Sequence, residues 1–277
     1  MTEAVYVVGD IHGQIDKLSH LLQSTGIVGD NLEWQAGTAT LCFLGDFCDR
    51  GPDGIGCINL AMSLEQQAQA AGGRVISLLG NHEVMILAAH FFGNIPDSEW
   101  GDKLLDVWLR NGGVARDFDS LEEKHIEWIT HLPGMVRIGD TLLIHSDAMF
   151  YMSYGDTIEE VNESFYEVFQ QDSPAIWIRL LNEFTERAAF ADVRESGSEH
   201  AALFLETFEA KRIIHGHTPI STITREAASK VTQPYVYAEG QCINVDGGMY
   251  LGGPGFICQL IFKSSSATDL ESNPANA

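Results

Sequence analysis

Five short polar clusters interrupt this chain, and each lies at the end of an apolar run of strand length. They are Gly-Asp-Ile-His-Gly at 9–13, Gly-Asp-Phe-Cys-Asp-Arg-Gly at 45–51, Gly-Asn-His-Glu at 80–83, His-Ser-Asp at 145–147 and His-Gly-His-Thr-Pro at 215–219. In open α/β sheets, ligands bind in the crevice beyond the carboxyl ends of the strands. The fold must therefore be one that can gather such clusters at a sheet edge.

The clusters combine carboxylate, imidazole and amide side chains. This mixture suits a manganese, iron or zinc ion better than a metal bound by soft thiolates. A single Gly-Asp pair is an ordinary turn, and short motifs match by chance. Ordinary loops are not expected to concentrate such groups at five strand ends, so the sequence predicts a metal site.

Strand-like and helical runs alternate in the first part of the chain. Apolar, often β-branched runs predict strands at 4–8, 38–44 and 74–79. Helical spacing of apolar residues predicts helices at 16–24 and 55–71. This β-α-β-α-β order predicts parallel pairing of the three strands.

The remainder of the chain is mixed. Its predicted helices and strands are listed here by residue number: helices at 98–110, 121–131, 157–170, 175–187 and 199–210, a hairpin of 135–138 with 141–144, and strands at 212–214, 241–245 and 256–262. Residues 263–277 are small and polar, which predicts a disordered tail.

The charge of the chain excludes some classes of partner. Sixteen Lys and Arg against 39 Asp and Glu give a formal net charge of −23. Nucleic acid and anionic membrane surfaces both favour basic proteins, so neither is expected as a partner. The N-terminus lacks a signal-peptide pattern, and the five cysteines fit no zinc pattern. Reduced thiols and a cytoplasmic location are the simplest expectation.

The clusters together resemble the motifs of a known superfamily. GD-x-HG, GD-x-x-DRG, GNHE, a later strand-end histidine and GHTP, in this order, are similar to the calcineurin-like metallophosphoesterases. Asp-Arg-Gly and Asn-His-Glu favour the phosphoprotein phosphatase branch. The stretch GRVISLLGNHEVM at 73–85 resembles the bacterial, Shewanella-like protein phosphatases. The resemblance implies a mixed α/β fold, a four-layer α-β-β-α sandwich with helical insertions, as one catalytic domain over 1–262 followed by the tail.

The resemblance also implies two divalent metal ions. Manganese is the first expectation, with iron, zinc or nickel as alternatives. By carry-over, Asp10, His12 and Asp46 hold the first ion. Asp46 bridges to the second, which Asn81, His145 and His217 complete. A water shared between two such ions becomes acidic enough to attack phosphorus.

Further roles follow from the same resemblance. His82 would protonate the leaving oxygen, oriented by Asp49, and Arg50 would bind the phosphate, because its guanidinium matches two phosphate oxygens. Arg179 is the candidate for a second phosphate arginine, because Trp177-Ile-Arg179 is similar to a Trp-x-Arg segment of the family. The alternative for Arg179 is an arginine on a helix surface.

Other cluster residues carry smaller expectations. Asp147 stands where similar phosphatases have small residues; we expect it to face the cleft and repel anions, with a cap pointing away as the alternative. His215 is expected behind the ligand His217. Glu83 is expected to support the Asn-His turn, and Cys48 to be a buried filler.

These features predict a metal-dependent phosphomonoester hydrolase that removes phosphate from Ser/Thr of phosphoproteins, with Tyr kept open as a further target. Gly51-Pro52 keeps open a symmetrical diadenosine tetraphosphate hydrolase or a more general phosphoesterase. A phosphoprotein-binding module without activity is a third alternative.

Overall fold

The structure is a computed structural model that describes residues 2–96, 101–191 and 196–263. The predicted tail at 263–277 lies outside this part except for its first residue. Within the described residues the strands are β1 (Thr2–Val8), β2 (Thr40–Phe43), β3 (Arg74–Ser77), β4 (Met135–Ile138), β5 (Thr141–Ile144), β6 (Arg212–His215), β7 (Tyr235–Tyr237), β8 (Cys242–Asn244) and β9 (Cys258–Lys263).

Ten α-helices connect these strands in the described part of the chain. They are α1 (Ile15–Ser24), α2 (Gly54–Ala71), α3 (Asn81–Phe92), α4 (Leu104–Arg110), α5 (Ala115–Asp119), α6 (Glu123–Thr130), α7 (Ile158–Phe169), α8 (Pro174–Glu183), α9 (Gly197–Thr207) and α10 (Ile220–Thr224). No described helix is long and apolar enough to cross a membrane.

Local signals in the sequence set the ends of the longest helix. The side chain of Asp53 accepts a hydrogen bond from the backbone N–H of Gly56 and so caps the start of α2. Gly72 ends α2 with a φ of 80°, a left-handed conformation that glycine adopts without steric cost. The predicted end of this helix at residue 71 is therefore confirmed.

Two sheets form the centre of the molecule. The first has the order β3-β2-β1-β9, with β1, β2 and β3 parallel and β9 antiparallel to β1. The second has the order β4-β5-β6-β8-β7, with β5, β6 and β8 parallel. The parallel pairing predicted for the first three strands and the hairpin of β4 with β5 are both confirmed.

Alternating side chains divide the core into layers. Val5, Val7 and Cys42 of the first sheet join Leu143 and Ile214 of the second in one buried cluster between the sheets. The alternate residues of the same strands point to the other face of each sheet, towards the helices, since side chains in a strand alternate between faces. Leu41, Phe43, Leu142, Ile144 and Ile213 belong to the second buried cluster, which includes residues of α1, α2, α7 and α9. The layers are helix, sheet, sheet and helix, as predicted.

Most differences from the sequence prediction lie in the helices. α3, α5, α10 and the short strand β7 were not predicted, whereas the helix predicted at 98–110 begins at Leu104, with 97–100 outside the described residues. The helix predicted at 175–187 ends at Glu183. All five cysteines are free and buried, in agreement with the expected thiols.

Candidate active site

The polar clusters lie at neighbouring strand ends of the two sheets. Asp10 and His12 follow β1, and Asp46 follows β2. Asn81 and His82 open α3 just after β3. His145 follows β5, and His217 follows β6. Because the carboxyl ends of parallel strands meet at one edge, the fold gathers in space what the sequence spreads over more than 200 residues, and all seven of these side chains are buried.

The backbone is strained where it presents these groups. His12, Asp46, Asp49, Arg50 and His217 all have positive φ, between 47° and 67°. Non-glycine residues rarely adopt this left-handed conformation, and such strain persists only where the surroundings enforce it. Five of the twelve non-glycine residues with positive φ in the described chain lie in these clusters, which is a reason to look for a function there.

Glu83 is one of the groups that hold the backbone around Asp46 in its strained conformation. Its buried carboxylate accepts hydrogen bonds from the backbone N–H groups of Asp46 at 2.7 Å, Phe47 at 2.8 Å and Gly80 at 3.1 Å. Glu83 therefore holds the Gly-Asp turn after β2 against the start of α3. The expectation of a supporting role is confirmed, and Cys48 is buried beside it as expected.

A first group of donor atoms surrounds His12. The Nδ1 of His12 donates to the carbonyl of Cys48 at 3.0 Å, which leaves a lone pair on Nε2. This Nε2 lies 3.5 Å from Oδ2 of Asp46 and 3.9 Å from Oδ2 of Asp10. A carbonyl partner of this kind fixes the tautomer of metal-binding histidines.

A second group surrounds His145. The Nδ1 of His145 donates to the carbonyl of Leu44 at 2.8 Å, so its Nε2 also carries a lone pair. This Nε2 lies 3.0 Å from Oδ1 of Asn81, 3.4 Å from Oδ1 of Asp46 and 3.2 Å from Nδ1 of His217. The two oxygens of Asp46 thus face different groups, which is the arrangement that a bridging carboxylate requires.

These donor atoms fit two divalent cations. Oδ2 of Asp10 is buried and has no hydrogen-bond partner among the described residues. Burial raises the pKa of both Asp10 and Asp46, and the charge of Asp46 adds to the effect on Asp10. Buried acceptor atoms and carboxylates this close together are unfavourable unless a cation joins them.

His82 also lies within ligand distance of His12 and Asp46. Both of its nitrogens have other partners, however. Nδ1 donates to Oδ2 of Asp49 at 2.7 Å, and Nε2 accepts from Nη2 of Arg50 at 2.8 Å. Nε2 of His12 accepts from Arg50 in the same way, so this contact does not separate the two histidines. The unpartnered oxygen of Asp10 and the bond from His82 to Asp49, a carboxylate outside the ligand set, favour Asp10 as the ligand and leave His82 for another role.

The Asp49–His82 pair is fully enclosed. Oδ1 of Asp49 accepts from the indole Nε1 of Trp108 at 2.9 Å. Burial raises the pKa of Asp49 to about 7, against the opposing effects of Trp108 and Arg50. Burial and the charge of Arg50 lower the pKa of His82 below its usual range, so the imidazole of the free site is neutral at pH 7.

Two arginines, Arg50 and Arg187, lie beside the Asp49–His82 pair, and the sequence predicted only Arg50 to lie there. Arg50 also donates through Nη1 to His12 at 2.8 Å and lies 4.4 Å from the centre of the Tyr250 ring. Arg187 donates to the carbonyl of His217 at 3.2 Å and lines the same cavity as Arg50 and His82.

Arg179 does not lie at this site. Its side chain is 65% exposed on α8 and forms an ion pair with Glu183 at 3.0 Å. It lines a different cavity. The structure therefore places Arg179 away from the predicted ligands, and it is Arg187 that lies beside Arg50 and His82. The helix prediction ran through to 187, whereas α8 ends at Glu183 and the chain beyond it turns towards His217.

The expectation that Asp147 faces the cleft is wrong. Its carboxylate is fully buried and accepts from the hydroxyl of Tyr237 at 3.1 Å. The same hydroxyl lies 2.6 Å from Nε2 of His215. Tyr237 therefore ties together the two loops that carry His145 and His217. His215 lies behind the ligands, as expected.

We expect Tyr237→Phe to lower the free energy of unfolding by about 1–3 kcal/mol, because it leaves buried polar groups of Asp147 and His215 without a partner. Denaturant unfolding measures this change. Tyr235→Phe, on the same strand, is the matched control and should change stability by less than about 0.5 kcal/mol. Equal stability of both variants would contradict the link through Tyr237.

Residues of this site that the sequence did not reveal are Trp108, Arg187, Tyr250 and Asp246. Asp246 follows β8 and is buried, with Oδ2 unpartnered among the described residues. The Asp-Gly-Gly pattern after this strand could have marked Asp246 as a site residue in the sequence. The other three lie in segments without a motif, and no local pattern marks them.

Comparisons with known proteins identify the family and the fold of this chain. A family model described as calcineurin-like phosphoesterase matches residues 4–221. An uncharacterised protein of Schizosaccharomyces pombe is 29% identical over 78% of this chain and 67% of its own length. A solved cold-active protein tyrosine phosphatase of a Shewanella species superposes with a TM-score of 0.69 at 21% identity, covering 93% of this chain and 75% of that one, which shows a shared fold.

Two named relatives match shorter stretches. Shewanella-like protein phosphatase 1 of Plasmodium berghei is 28% identical over 51% of this chain and 38% of its own length. A symmetrical bis(5'-nucleosyl)-tetraphosphatase of Acidovorax ebreus is 29% identical over 63% of this chain and 58% of its own length. The chain thus spans less than two thirds of either match. With most of its length matched by the family model, this chain is a hydrolase of phosphoric esters and belongs to the calcineurin-like phosphoesterase family.

Proposed function

We propose that this protein is a phosphoprotein phosphatase that hydrolyses phosphomonoesters of Ser, Thr and Tyr side chains. The observation that carries the proposal is the buried Asp49–His82 pair, 2.7 Å apart, beside the gathered ligand atoms and two arginines. A hydrolase of alkyl phosphomonoesters needs a general acid that protonates the poorly leaving alkoxide oxygen, and the Asp49–His82 pair is placed to act as that acid.

In this proposal Asp10, His12 and Asp46 hold one divalent ion, and Asp46, Asn81, His145 and His217 hold the other. We favour manganese, with iron, zinc or nickel as alternatives, because the donors are imidazole, carboxylate and amide groups. Two such ions supply Lewis-acid stabilisation of the phosphate and an activated water.

The chain's own groups then bind the phosphate and move the proton. Arg50 and Arg187 hold phosphate oxygens, since guanidinium groups match them in shape and charge. Burial and, after it, the charge of Arg50 lower the pKa of His82, and a bound dianion offsets the second of these effects, so substrate binding favours the protonated imidazole. His82 gives its Nε2 proton to the leaving oxygen, while Asp49 stabilises the cation through Nδ1.

The organic part of the substrate has a defined place beside His82. The cavity there measures about 110 Å³, and its apolar side chains are Met85, Leu104, Val107, Ile178, Leu181 and Phe184. Because apolar walls gain free energy by covering an apolar group, this lining favours the ring of phosphotyrosine over the short side chain of phosphoserine.

The alternative is hydrolysis of diadenosine tetraphosphate. The likeness to the Acidovorax tetraphosphatase and the Gly-Pro that follows Asp49-Arg50 both support it. The net charge of −23 opposes it, because a polyphosphate carries several negative charges.

Parallel assays test the two functions. The protein is stripped of metal, reconstituted with Mn, Fe, Zn, Ni or Mg, and given phosphotyrosine and phosphoserine peptides, nitrophenyl phosphate and diadenosine tetraphosphate. We expect the phosphopeptides to be hydrolysed with the higher kcat/KM, the phosphotyrosine peptide above the phosphoserine peptide. Faster cleavage of the dinucleotide would favour the alternative, and binding without any hydrolysis would indicate a non-catalytic module.

Replacing Arg187 tests the phosphate site. Arg187→Gln should raise KM for phosphomonoesters by about 10-fold or more, because a hydrogen bond to a charged group contributes roughly 1.5–3 kcal/mol. Arg179→Gln, which alters an exposed arginine away from the cavity, is the matched control and should leave KM unchanged. The reverse result would restore Arg179 to the phosphate site.

A further inference from the structure

The segment of α4 and α5, residues 104–119, packs against the Asp-Arg-Gly loop. The backbone N–H of Arg50 donates to the carbonyl of Gly112 at 2.7 Å. The carboxylate of Asp117 accepts from the N–H groups of Gly54 at 3.0 Å and Asp49 at 3.4 Å. This segment therefore holds Asp49 and Arg50 in their strained, left-handed conformations.

Trp108 adds a contact to the Asp49 side chain itself. Its indole Nε1 donates to Oδ1 of Asp49, while Oδ2 accepts from His82, so the two oxygens have different partners. The backbone of Val114 also bonds to this carboxyl. The terminal torsion of an aspartate is broad, so donors on both sides are what hold the carboxylate plane in one orientation.

The surroundings of Trp108 keep its indole in place. The side chain is 1% exposed and belongs to a small buried cluster with Cys48, Met85, Ile86 and Ala89. A Cβ added at Gly113 would lie 2.4 Å from the indole ring, so only glycine leaves room for it there. An indole N–H can donate but not accept, which suits a fixed partner for a carboxylate.

We propose that Trp108 is a positioning residue for the leaving-group acid: its N–H fixes the carboxylate of Asp49 so that His82 is aimed at the leaving oxygen. The inference rests on the proposed function, in which His82 protonates that oxygen. Within the described part of the chain, no hydrogen bond or ring contact joins Trp108 to a ligand atom or to Arg50 or Arg187, so its effect is expected to pass through Asp49.

The test is Trp108→Phe, which keeps an aromatic ring and removes the donor. We expect kcat for an alkyl phosphate to fall about 10-fold, the size of a hydrogen bond to a charged group. The kcat for nitrophenyl phosphate should fall less than about 2-fold, because nitrophenolate leaves without protonation. KM and metal content should stay as in the wild type.

Trp128→Phe is the matched control. Trp128 also donates its Nε1 to a carboxylate, Oε2 of Glu65 at 3.0 Å, but it lies on α6 outside the cavity of His82, where its ring packs against Phe47. It should affect both substrates equally or not at all. If Trp108→Phe does not fold, Gly113→Ala gives a second route, since the added methyl displaces the indole and should produce the same dependence on leaving group.

The outcomes separate this inference from the proposed function. A metal-loaded wild type that hydrolyses no phosphomonoester overturns the proposed function and the inference with it. An active wild type in which Trp108→Phe loses equal activity on both substrates, or none, overturns only the role of Trp108.

Discussion

Replacing Asp46 with asparagine is expected to remove metal and activity together. One oxygen of Asp46 lies 3.5 Å from His12 and the other 3.4 Å from His145, so a single substitution weakens both groups of ligands. Loss of a buried charged partner costs about 3–5 kcal/mol, which corresponds to roughly 10²–10³-fold or more in metal affinity or rate. Metal analysis of the purified variant and phosphatase assays measure the two effects.

The control for this variant is Asp30→Asn, at an exposed aspartate. Unfolding of the metal-free proteins distinguishes lost metal from lost structure. Burial raises the pKa of Asp46, so its charge is unfavourable in the metal-free fold. Metal-free Asp46→Asn should therefore be at least as stable as metal-free wild type. Wild-type metal content in the variant would contradict a bridging role.

Replacing His82 with asparagine is expected to cost about 10²–10⁴ in kcat for alkyl phosphates, the range for loss of a general acid. The loss should shrink for nitrophenyl phosphate, whose leaving group needs little protonation. Metal content should stay normal, because both nitrogens of His82 have partners other than the predicted ligands. A series of substrates with graded leaving groups gives the measurement. Equal losses across the series would reject the role of His82 as acid.

The sequence could predict the parts of this site that depend on local pattern. The clusters follow apolar runs, and parallel strands bring their carboxyl ends together, so Asp10, Asp46 and His145 were predicted to lie near one another. The structure gathers all of the predicted ligands, and it pairs His82 with Asp49. Their roles in binding metal and moving a proton stay predictions.

Contacts that depend on the path of the helices could not be predicted. Trp108 reaches Asp49 across 59 residues of sequence. Its helix carries no motif, and nothing in its apolar spacing specifies a partner. The resemblance to a Trp-x-Arg segment selected Arg179, and Arg187 was taken as the end of a helix assumed to run through to 187. The end of α8 at Glu183 is what separates an exposed ion pair from a residue of the cavity.

Asp147 shows the limit of reasoning from position alone. Its place two residues after His145 indicated nearness to the metal site, but not the direction of its side chain. Tyr237 provides the buried partner, and it lies on β7, a short strand that was not predicted. A distant hydroxyl therefore decides whether this carboxylate faces the cleft.

The central claim is that the gathered strand ends bind two divalent ions through Asp46. Equilibrium titration of the stripped protein with Mn²⁺, with bound metal counted per chain, tests it most directly. We expect two ions per chain at saturation in the wild type, and fewer than one in Asp46→Asn under the same conditions. Saturation of the wild type at one ion or none, or two ions retained by Asp46→Asn, would contradict the claim.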